Sequence, residues 1–162
     1  MAIPFLAHIP FVEHLGFELT RFENGFADII YTPRPEHLNS FNVTHGGATM
    51  TLMDVTMAHA ARSLQVEQGL VTIEMKTSFM QAALGTLTAK GRVLHRTATM
   101  AFTEATMFDD QGRACAHASG TFKYIKKLPV DAKTTQDLNP APHWRLKSAV
   151  NRFKPSLIGS PT

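Results

Sequence analysis

The sequence predicts an α+β domain in which a curved antiparallel sheet of six strands wraps around one long central helix. Residues 46–64 form a helical stretch in which nearly every side chain is apolar or a small hydroxyl, so no polar face is left for water. Two segments before this helix and four after it have the alternation and the turn residues of strands. A sheet curled around the helix is the simplest way to bury it.

The length and the charge distribution favour one domain followed by a tail. At 162 residues the chain is long enough for one domain with a substantial core, which we expect over residues 1–125. Seven of the 16 Lys and Arg residues lie from Lys126 onward, against two of the 13 Asp and Glu residues. The basic balance therefore belongs to the Pro-containing tail, residues 126–162, and gives no support for nucleic-acid binding by the domain. Within the tail, residues 143–153 have the pattern of an amphipathic helix that docks on the domain, a partner or a membrane surface, or of a segment that rests on its own protein.

The beginning of the chain and its cysteine content indicate a cytoplasmic protein. The first ten residues have neither a basic start nor an uninterrupted apolar stretch, both of which a signal peptide needs. The single cysteine, Cys115, excludes an internal disulfide and a cysteine-based metal cluster, and its strand-like setting indicates a core residue. The eight histidines are scattered and form no metal-ligand set.

The segment before the central helix predicts a short leading helix and a hairpin. Residues 5–15 have apolar side chains at helical spacing, and Gly16 is a stop signal, so we expect a leading helix or pair of turns within residues 1–16. Residues 17–22 and 26–31 alternate as strands around Asn24-Gly25, a strong hairpin turn. The Pro33 and Pro35 that follow end the strand pairing.

Four further strands are predicted after the central helix, at residues 70–80, 86–95, 99–108 and 114–124. In the first of them, alternation places Ile73, Met75, Thr77 and Phe79 on one face. The last two are joined by residues 109–112, whose Asp and Gly content suits a hairpin loop.

The central helix carries a single carboxylate, Asp54, and the presence of this group on a buried helix needs a physical explanation. An ionised carboxylate on a buried helix is costly unless it is paired or works in a solvated pocket. It is therefore either a functional group or a buried Asp bonded to a neighbouring strand. Together with His45, His59 and several threonines, Asp54 also makes the helix too polar for a comfortable membrane span.

The spacing Asn39, His45-Gly46-Gly47 and Asp54 resembles the Asn-x5-His-Gly-Gly-x6-Asp pattern of the hotdog-fold thioesterases, most closely the PaaI-like branch known from phenylacetate degradation. The resemblance covers about residues 11–124. It implies the hotdog fold and hydrolysis of acyl-CoA thioesters, and it implies that Thr72 lines the site from the strand after the helix. It does not indicate which acyl group is used. One departure is that residues 81–83 replace the Pro-containing turn with which that strand usually ends in the family.

Thioester hydrolysis needs a donor for the negative charge on the carbonyl oxygen and a base or nucleophile on the other side of the carbon. The start of the central helix supplies unpaired N–H groups and the positive end of its dipole, and we expect the Gly47 N–H to be the donor. Gly46 and Gly47 have no Cβ, so an acyl group can approach the backbone closely, although a tight joint into a buried helix needs glycine as well. Asp54 then acts as general base on water or as nucleophile.

The helix geometry predicts that each site is shared between two chains. Asp54 lies seven residues after Gly47, so it stands about 10 Å further along the helix axis. Both groups cannot touch one carbonyl, and the donor and the carboxylate must come from different chains across a two-fold axis. We therefore expect an obligate homodimer, as in similar hotdog proteins; whether two dimers pair into a homotetramer stays open.

Three other residues have roles in this interpretation that compete with ordinary structural ones. Asn39 orients the water or the carbonyl, or it caps its loop. Thr72 holds the water, or it is an ordinary strand residue. His45 is expected to fix the loop or cap the helix rather than to abstract a proton, while His59 faces elsewhere on the helix and is left out.

Coenzyme A carries phosphates, so basic residues should surround the mouth of the site. Arg92 and Arg96 lie four positions apart in one predicted strand, hence on one face, with Lys90 in phase and Thr97 in the turn. They are candidate phosphate ligands, although ordinary solvated charges have the same pattern.

We expect no cofactor or metal, since coenzyme A enters as part of the substrate. Two other functions are alternatives to a thioesterase: an acyl thioester hydratase or dehydratase, and a non-catalytic acyl-CoA binding or sensor protein.

Overall fold

The structure, a computed structural model, describes residues 2–126. Two helices, six strands and a 3-10 turn follow one another along this part of the chain. In order they are α1 (Pro10–Leu15), β1 (Glu18–Glu23), β2 (Phe26–Tyr31), the 3-10 turn (Pro35–His37), α2 (Gly46–Arg62), β3 (Gly69–Phe79), β4 (Leu87–Arg96), β5 (Met100–Phe108) and β6 (Ala114–Ile125). The predicted tail helix at residues 143–153 lies outside the described residues.

The six strands form one antiparallel sheet in the order β1-β2-β4-β5-β6-β3. Strand β3 does not pair with β4, its successor in the chain, but crosses to the far edge beside β6. Helix α2 packs against the concave face and contacts every strand. The predicted α+β fold with a sheet around one central helix is therefore confirmed.

Most of α2 is buried, as its lack of a polar face predicts. Leu52, Met53 and Met57 have no exposed surface and form the centre of the core with strand residues such as Ile29 and Phe122. Burial of such side chains contributes roughly 1.5–3 kcal/mol each, which offsets the cost of ordering the helix.

One stripe of α2 is left partly uncovered by the rest of residues 2–126. It comprises Gly47, Met50, Thr51, Asp54 and Ala58. Their spacing of three or four residues places them on one side of the helix. The stripe therefore runs along most of α2, and Asp54 lies on it.

The leading helix is shorter than predicted. Pro10 is its first residue rather than an interruption, because a proline at the first helical position has no N–H to leave unpaired. Gly16 ends the helix in the left-handed conformation, at φ 75°, as its stop signal predicts. Upstream of the helix, Ile3 makes an isolated antiparallel bridge to Leu19.

The predicted alternation in β3 is wrong at Ile73, because a β-bulge lies there. Thr72 pairs with Phe122 and Glu74 pairs with Thr121, so Ile73 has no partner in the register and is 54% exposed. The bulge inserts one residue and reverses the facing of the residues before it. Thr72, not Ile73, therefore shares the helix-facing side with Met75, Thr77 and Phe79.

The predicted turns form where the sequence places them. Asn24 and Gly25 adopt φ values of 48° and 83° between β1 and β2, the positive pair that a tight hairpin requires. In the β5–β6 loop, Asp109 accepts hydrogen bonds from the backbone N–H groups of Gln111 and Arg113 at 3.0 and 2.8 Å. Among the described residues, no helix is long and apolar enough to cross a bilayer.

Candidate functional site

Asp54 and Thr72 meet on the concave side of the sheet. The Thr72 hydroxyl donates a hydrogen bond of 2.8 Å to Asp54 Oδ1. Within residues 2–126 this is the one hydrogen bond that Asp54 receives through its side chain, and it forms no ion pair there. Thr72 thus fixes the orientation of the carboxylate from β3, and Oδ2 can still accept a hydrogen bond or a proton.

The setting of Asp54 makes its carboxylate a better base than an ordinary aspartate. Desolvation by the surrounding apolar side chains raises the pKa of Asp54, and the Thr72 hydrogen bond partly opposes this by stabilising the charged form. A carboxylate with a raised pKa accepts a proton more readily than an ordinary aspartate does.

The start of α2 is capped by the side chain of His45. His45 Nδ1 accepts a hydrogen bond of 2.9 Å from the Gly47 N–H, and the His45 carbonyl accepts the first helical bond from Thr49 at 3.1 Å. Within the described residues the N–H groups of Gly46 and Ala48 have no acceptor. The Gly47 N–H, the donor expected from the sequence, is thus engaged by His45, and Gly46 is the neighbouring open donor.

Asn39 holds the loop that leads into α2. Its Oδ1 accepts hydrogen bonds from the backbone N–H groups of Phe41 and Val43 at 2.9 and 3.3 Å. This is the loop-capping role that the sequence offered as one alternative. The Nδ2 group of Asn39 has no acceptor among the described residues, so it is free to donate to a ligand.

A cavity of about 280 Å³ opens beside the start of α2. Asn39 and Gly46 are at this cavity, together with residues of β3, β5, β6 and the loop after β3. The remaining lining residues are Val43, Thr44, Thr49, Phe79, Gln81, Ala82, Ala83, Met107 and Cys115. Asp54 and Thr72 of the same chain are not among them. The single chain thus separates the carboxylate from the open donor and its cavity, as the helix geometry predicts.

Most residues of this cavity carry no signal in the sequence. Met107 and Cys115 have the pattern of ordinary core residues, and each is 1% exposed. The alternation predicts only a strand face for Phe79, which is 55% exposed beside Gly46. An alternating strand gives no signal of which buried residue borders a cavity, since that depends on tertiary packing.

The predicted phosphate ligands do not form one cluster. A β-bulge between Val93 and His95 reverses the facing of the end of β4, so the expectation that Arg92 and Arg96 share a face is wrong. Arg92 lies on the convex side, in an ion pair with Glu104 at 2.6 Å. Arg96 pairs in register with the buried Ala101 and lies toward the helix.

Lys90 and Thr97 have local partners. The Lys90 ammonium lies 5.8 Å from the centre of the Phe108 ring on the convex side. The Thr97 hydroxyl caps the β4–β5 turn by accepting a hydrogen bond of 3.0 Å from the Met100 N–H. Neither residue lines the cavity at the start of α2.

His59 is buried on the far side of α2 from the partly uncovered stripe. Its Nδ1 donates to the Val55 carbonyl at 2.8 Å, and its ring packs edge-on against Phe5 with a centroid distance of 5.0 Å. Burial lowers the pKa of His59, which keeps the ring neutral. Leaving His59 out of the site agrees with this packing. Residues 2–126 contain no group of three or more His, Cys, Asp or Glu side chains that could hold a metal ion.

Comparison with known proteins identifies the family. Residues 41–116 match the family model of the thioesterase superfamily. The chain is 30% identical over 120 residues to a Saccharolobus solfataricus protein that carries the name "Putative esterase SSO2140", covering 74% of this chain and 85% of that relative.

Solved structures share the fold. A conserved protein of Pseudomonas aeruginosa is 28% identical, with a TM-score of 0.70 over 73% of this chain and 95% of that one. The PaaI protein of the Escherichia coli phenylacetic acid degradation operon is 24% identical, with a TM-score of 0.67 over 70% of this chain and 83% of its own. With the six-stranded sheet around α2, these matches show that the chain belongs to the thioesterase superfamily and has the hotdog fold.

Proposed function

We propose that this protein is an acyl-CoA thioesterase that hydrolyses a thioester to a carboxylic acid and coenzyme A at a site shared between two chains. Membership of the thioesterase superfamily supports the reaction class. The observation that carries the proposal is Asp54, the one carboxylate of α2, which has a raised pKa and is held by one hydrogen bond. The reaction needs the acyl-CoA and water, and no further cofactor.

The proposed oxyanion donor is the Gly46 N–H, because His45 already occupies that of Gly47. Gly46 is the first residue of α2, where the positive end of the helix dipole favours negative charge. It also lines the cavity beside the helix start. A carbonyl oxygen placed there would receive the Gly46 N–H, with Asn39 Nδ2 as a second donor.

The proposed site requires a second chain. Asp54 lies eight residues after Gly46, about 12 Å further along the helix axis, so one carbonyl cannot reach both groups of a single helix. Two copies with antiparallel α2 helices would bring Asp54 of one protomer to Gly46 of its partner across a two-fold axis.

Two incompletely covered features of residues 2–126 support this dimer. The stripe of α2 that carries Asp54 is only partly covered. Strand β3 is an edge strand of eleven residues that pairs with β6 alone among the described strands. It exposes Val71 and Ile73 by 41% and 54%. The unpaired backbone groups and exposed apolar side chains of this edge are a site for pairing with another strand, and the matching edge of a second copy would cover them.

The chemistry follows from these positions. Asp54 takes a proton from a water molecule, and the hydroxide attacks the thioester carbonyl carbon while the carbonyl oxygen gains charge against the Gly46 N–H. Collapse of the tetrahedral intermediate breaks the C–S bond, and the thiolate of coenzyme A takes up a proton. Direct attack by Asp54, which forms an anhydride that water then hydrolyses, uses the same geometry.

Measurement of thiol release from a panel of acyl-CoAs tests this proposal. We expect wild-type turnover, and a loss of at least about 100-fold in kcat/KM for both Asp54→Asn and Asp54→Ala, because the base is removed. Retention of activity by both variants would remove Asp54 from the mechanism. Binding of acyl-CoA by the wild type without any turnover would instead favour a sensor protein.

A further inference from the structure

We propose that the cavity beside Gly46 is the acyl pocket, and that it restricts this protein to compact acyl groups of roughly ten carbon atoms or fewer, excluding long fatty acyl chains. The inference rests on the proposed thioesterase function and adds the substrate class.

The lining of the cavity suits an apolar group whose carbonyl lies at its mouth. The two open donors, the Gly46 N–H and Asn39 Nδ2, are at the half-buried edge. The inner wall contains Met107 and Cys115, each 1% exposed, and Ala83 at 7%. A thioester held by the donors would therefore direct its acyl group toward the sulfur-containing side chains, whose polarisable atoms adapt to apolar ligands.

The walls of the cavity are cross-linked by hydrogen bonds, so the pocket is preformed. The Thr44 N–H donates to the Ala83 carbonyl at 3.0 Å, which ties the loop before α2 to the loop after β3. The Cys115 carbonyl accepts from the N–H groups of Met80 and Gln81 at 2.8 and 3.1 Å, which ties that second loop to β6. Three separate segments are thus held together around one space.

The volume sets the size limit. An apolar cavity of about 150 Å³ holds one benzene ring, which has six carbon atoms. A cavity of about 280 Å³ therefore holds roughly ten carbon atoms. Because the hydrogen-bonded walls resist expansion, a longer chain would leave its end outside the cavity or displace buried Met107.

The experiment measures kcat/KM for acyl-CoAs from C2 to C16 in the wild type and three variants. Met107→Ala enlarges the cavity at its inner wall. Ala82→Leu is at an exposed lining position, so it narrows the cavity with little effect on the core. Met57→Ala is the matched control, since it truncates a methionine that is equally buried but does not line the cavity.

We expect the wild type to prefer acyl groups of ten carbons or fewer. Met107→Ala should raise the C14-to-C8 ratio of kcat/KM by at least about tenfold, since one or two methylenes in an apolar pocket produce differences of this size. Ala82→Leu should shift the optimum to shorter chains, and Met57→Ala should leave the ratio unchanged. A wild-type optimum at C14 or above, or equal ratios in the two methionine variants and the wild type, would overturn the inference.

Failure of the proposed function would give a different result. If no acyl-CoA is hydrolysed, calorimetric binding of the same panel to the wild type still tests the pocket. The inference then predicts tighter binding of short and medium acyl-CoAs than of C16, with the preference relaxed in Met107→Ala. Uniform binding across chain lengths would reject the pocket independently of catalysis.

Discussion

The pKa of Asp54 is subject to two opposing effects. Burial in the apolar interior raises its pKa, and the hydroxyl of Thr72 stabilises the ionised form through a hydrogen bond of 2.8 Å. The balance determines the pH range in which Asp54 can act as base or nucleophile, because both roles need the ionised carboxylate.

Substitution of Thr72 by Val should move the acid limb of kcat/KM to higher pH. The variant keeps the shape of the side chain and removes the donor that holds the pKa of Asp54 down, so a higher pH is needed to ionise the carboxylate. The measurement is the pH profile of kcat/KM for the wild type and the variant.

Thr121→Val is the matched control for that experiment. Thr121 donates a hydrogen bond of 2.7 Å to Glu74, an exposed carboxylate, so it makes a similar threonine–carboxylate pair that does not involve Asp54. We expect its pH profile to match the wild type. An unshifted limb in Thr72→Val would show that Thr72 does not control the ionisation of Asp54.

At the scale of elements, the start of α2 depends on an unusual cap. His45 Nδ1 accepts the Gly47 N–H, a role in which Ser, Thr, Asp or Asn is usual. His45→Ala should therefore lower the free energy of unfolding by about 1 kcal/mol, measured by urea denaturation. His45→Asn supplies a side-chain oxygen in place of Nδ1 as the capping acceptor and should recover most of that loss. Equal stability of all three proteins would contradict the capping role.

The opposite end of α2 predicts a dependence of stability on pH. Burial holds the pKa of His59 below its ordinary value of 6.5, so the unfolded chain takes up a proton before the folded one as the pH falls. The contribution of His59 is thus fully present above about pH 6.5 and is lost below it. His59→Leu should make the decline in unfolding free energy between pH 7.5 and pH 5.5 shallower. Parallel curves for the two proteins would show that His59 does not titrate on unfolding.

The elements also show where sequence patterns stop being informative. The boundaries of β2 and the turn at Asn24 and Gly25 follow from residue types, because alternation and positive φ are local properties. The bulges at Ile73 and between Val93 and His95 do not, since an inserted residue is fixed by packing across strands. Each bulge changes the facing of a residue assigned to the site, bringing Thr72 to Asp54 and separating Arg92 from Arg96.

At the scale of the whole molecule, residues 2–126 form a folded domain that leaves the β3 edge and one stripe of α2 incompletely covered. Among residues 2–126 the β3 edge pairs with β6 alone, and the Asp54 stripe of α2 is only partly covered. The fold and the carboxylate could be predicted because a buried helix and its one acid are visible in the residues themselves. The cavity could not, because its walls come from four separate segments.

The proposed site needs a donor from one chain and a carboxylate from another, and mixed dimers test this directly. Gly46→Pro removes the donor N–H, and proline is well tolerated as the first residue of a helix. His45 already has φ −59° and ψ 137°, a conformation allowed before proline. Gly46→Ala keeps the N–H, and its Cβ would contact Phe79 at an ordinary 3.5 Å, so it is the control.

The decisive measurement is the activity of a purified mixed dimer of one Gly46→Pro chain and one Asp54→Asn chain. Each variant dimer alone should be inactive, while the mixed dimer should recover about half of the wild-type activity, because one of its two sites has both an intact donor and an intact carboxylate. A mixed dimer as inactive as its parents would contradict a shared site and place both groups in the same chain.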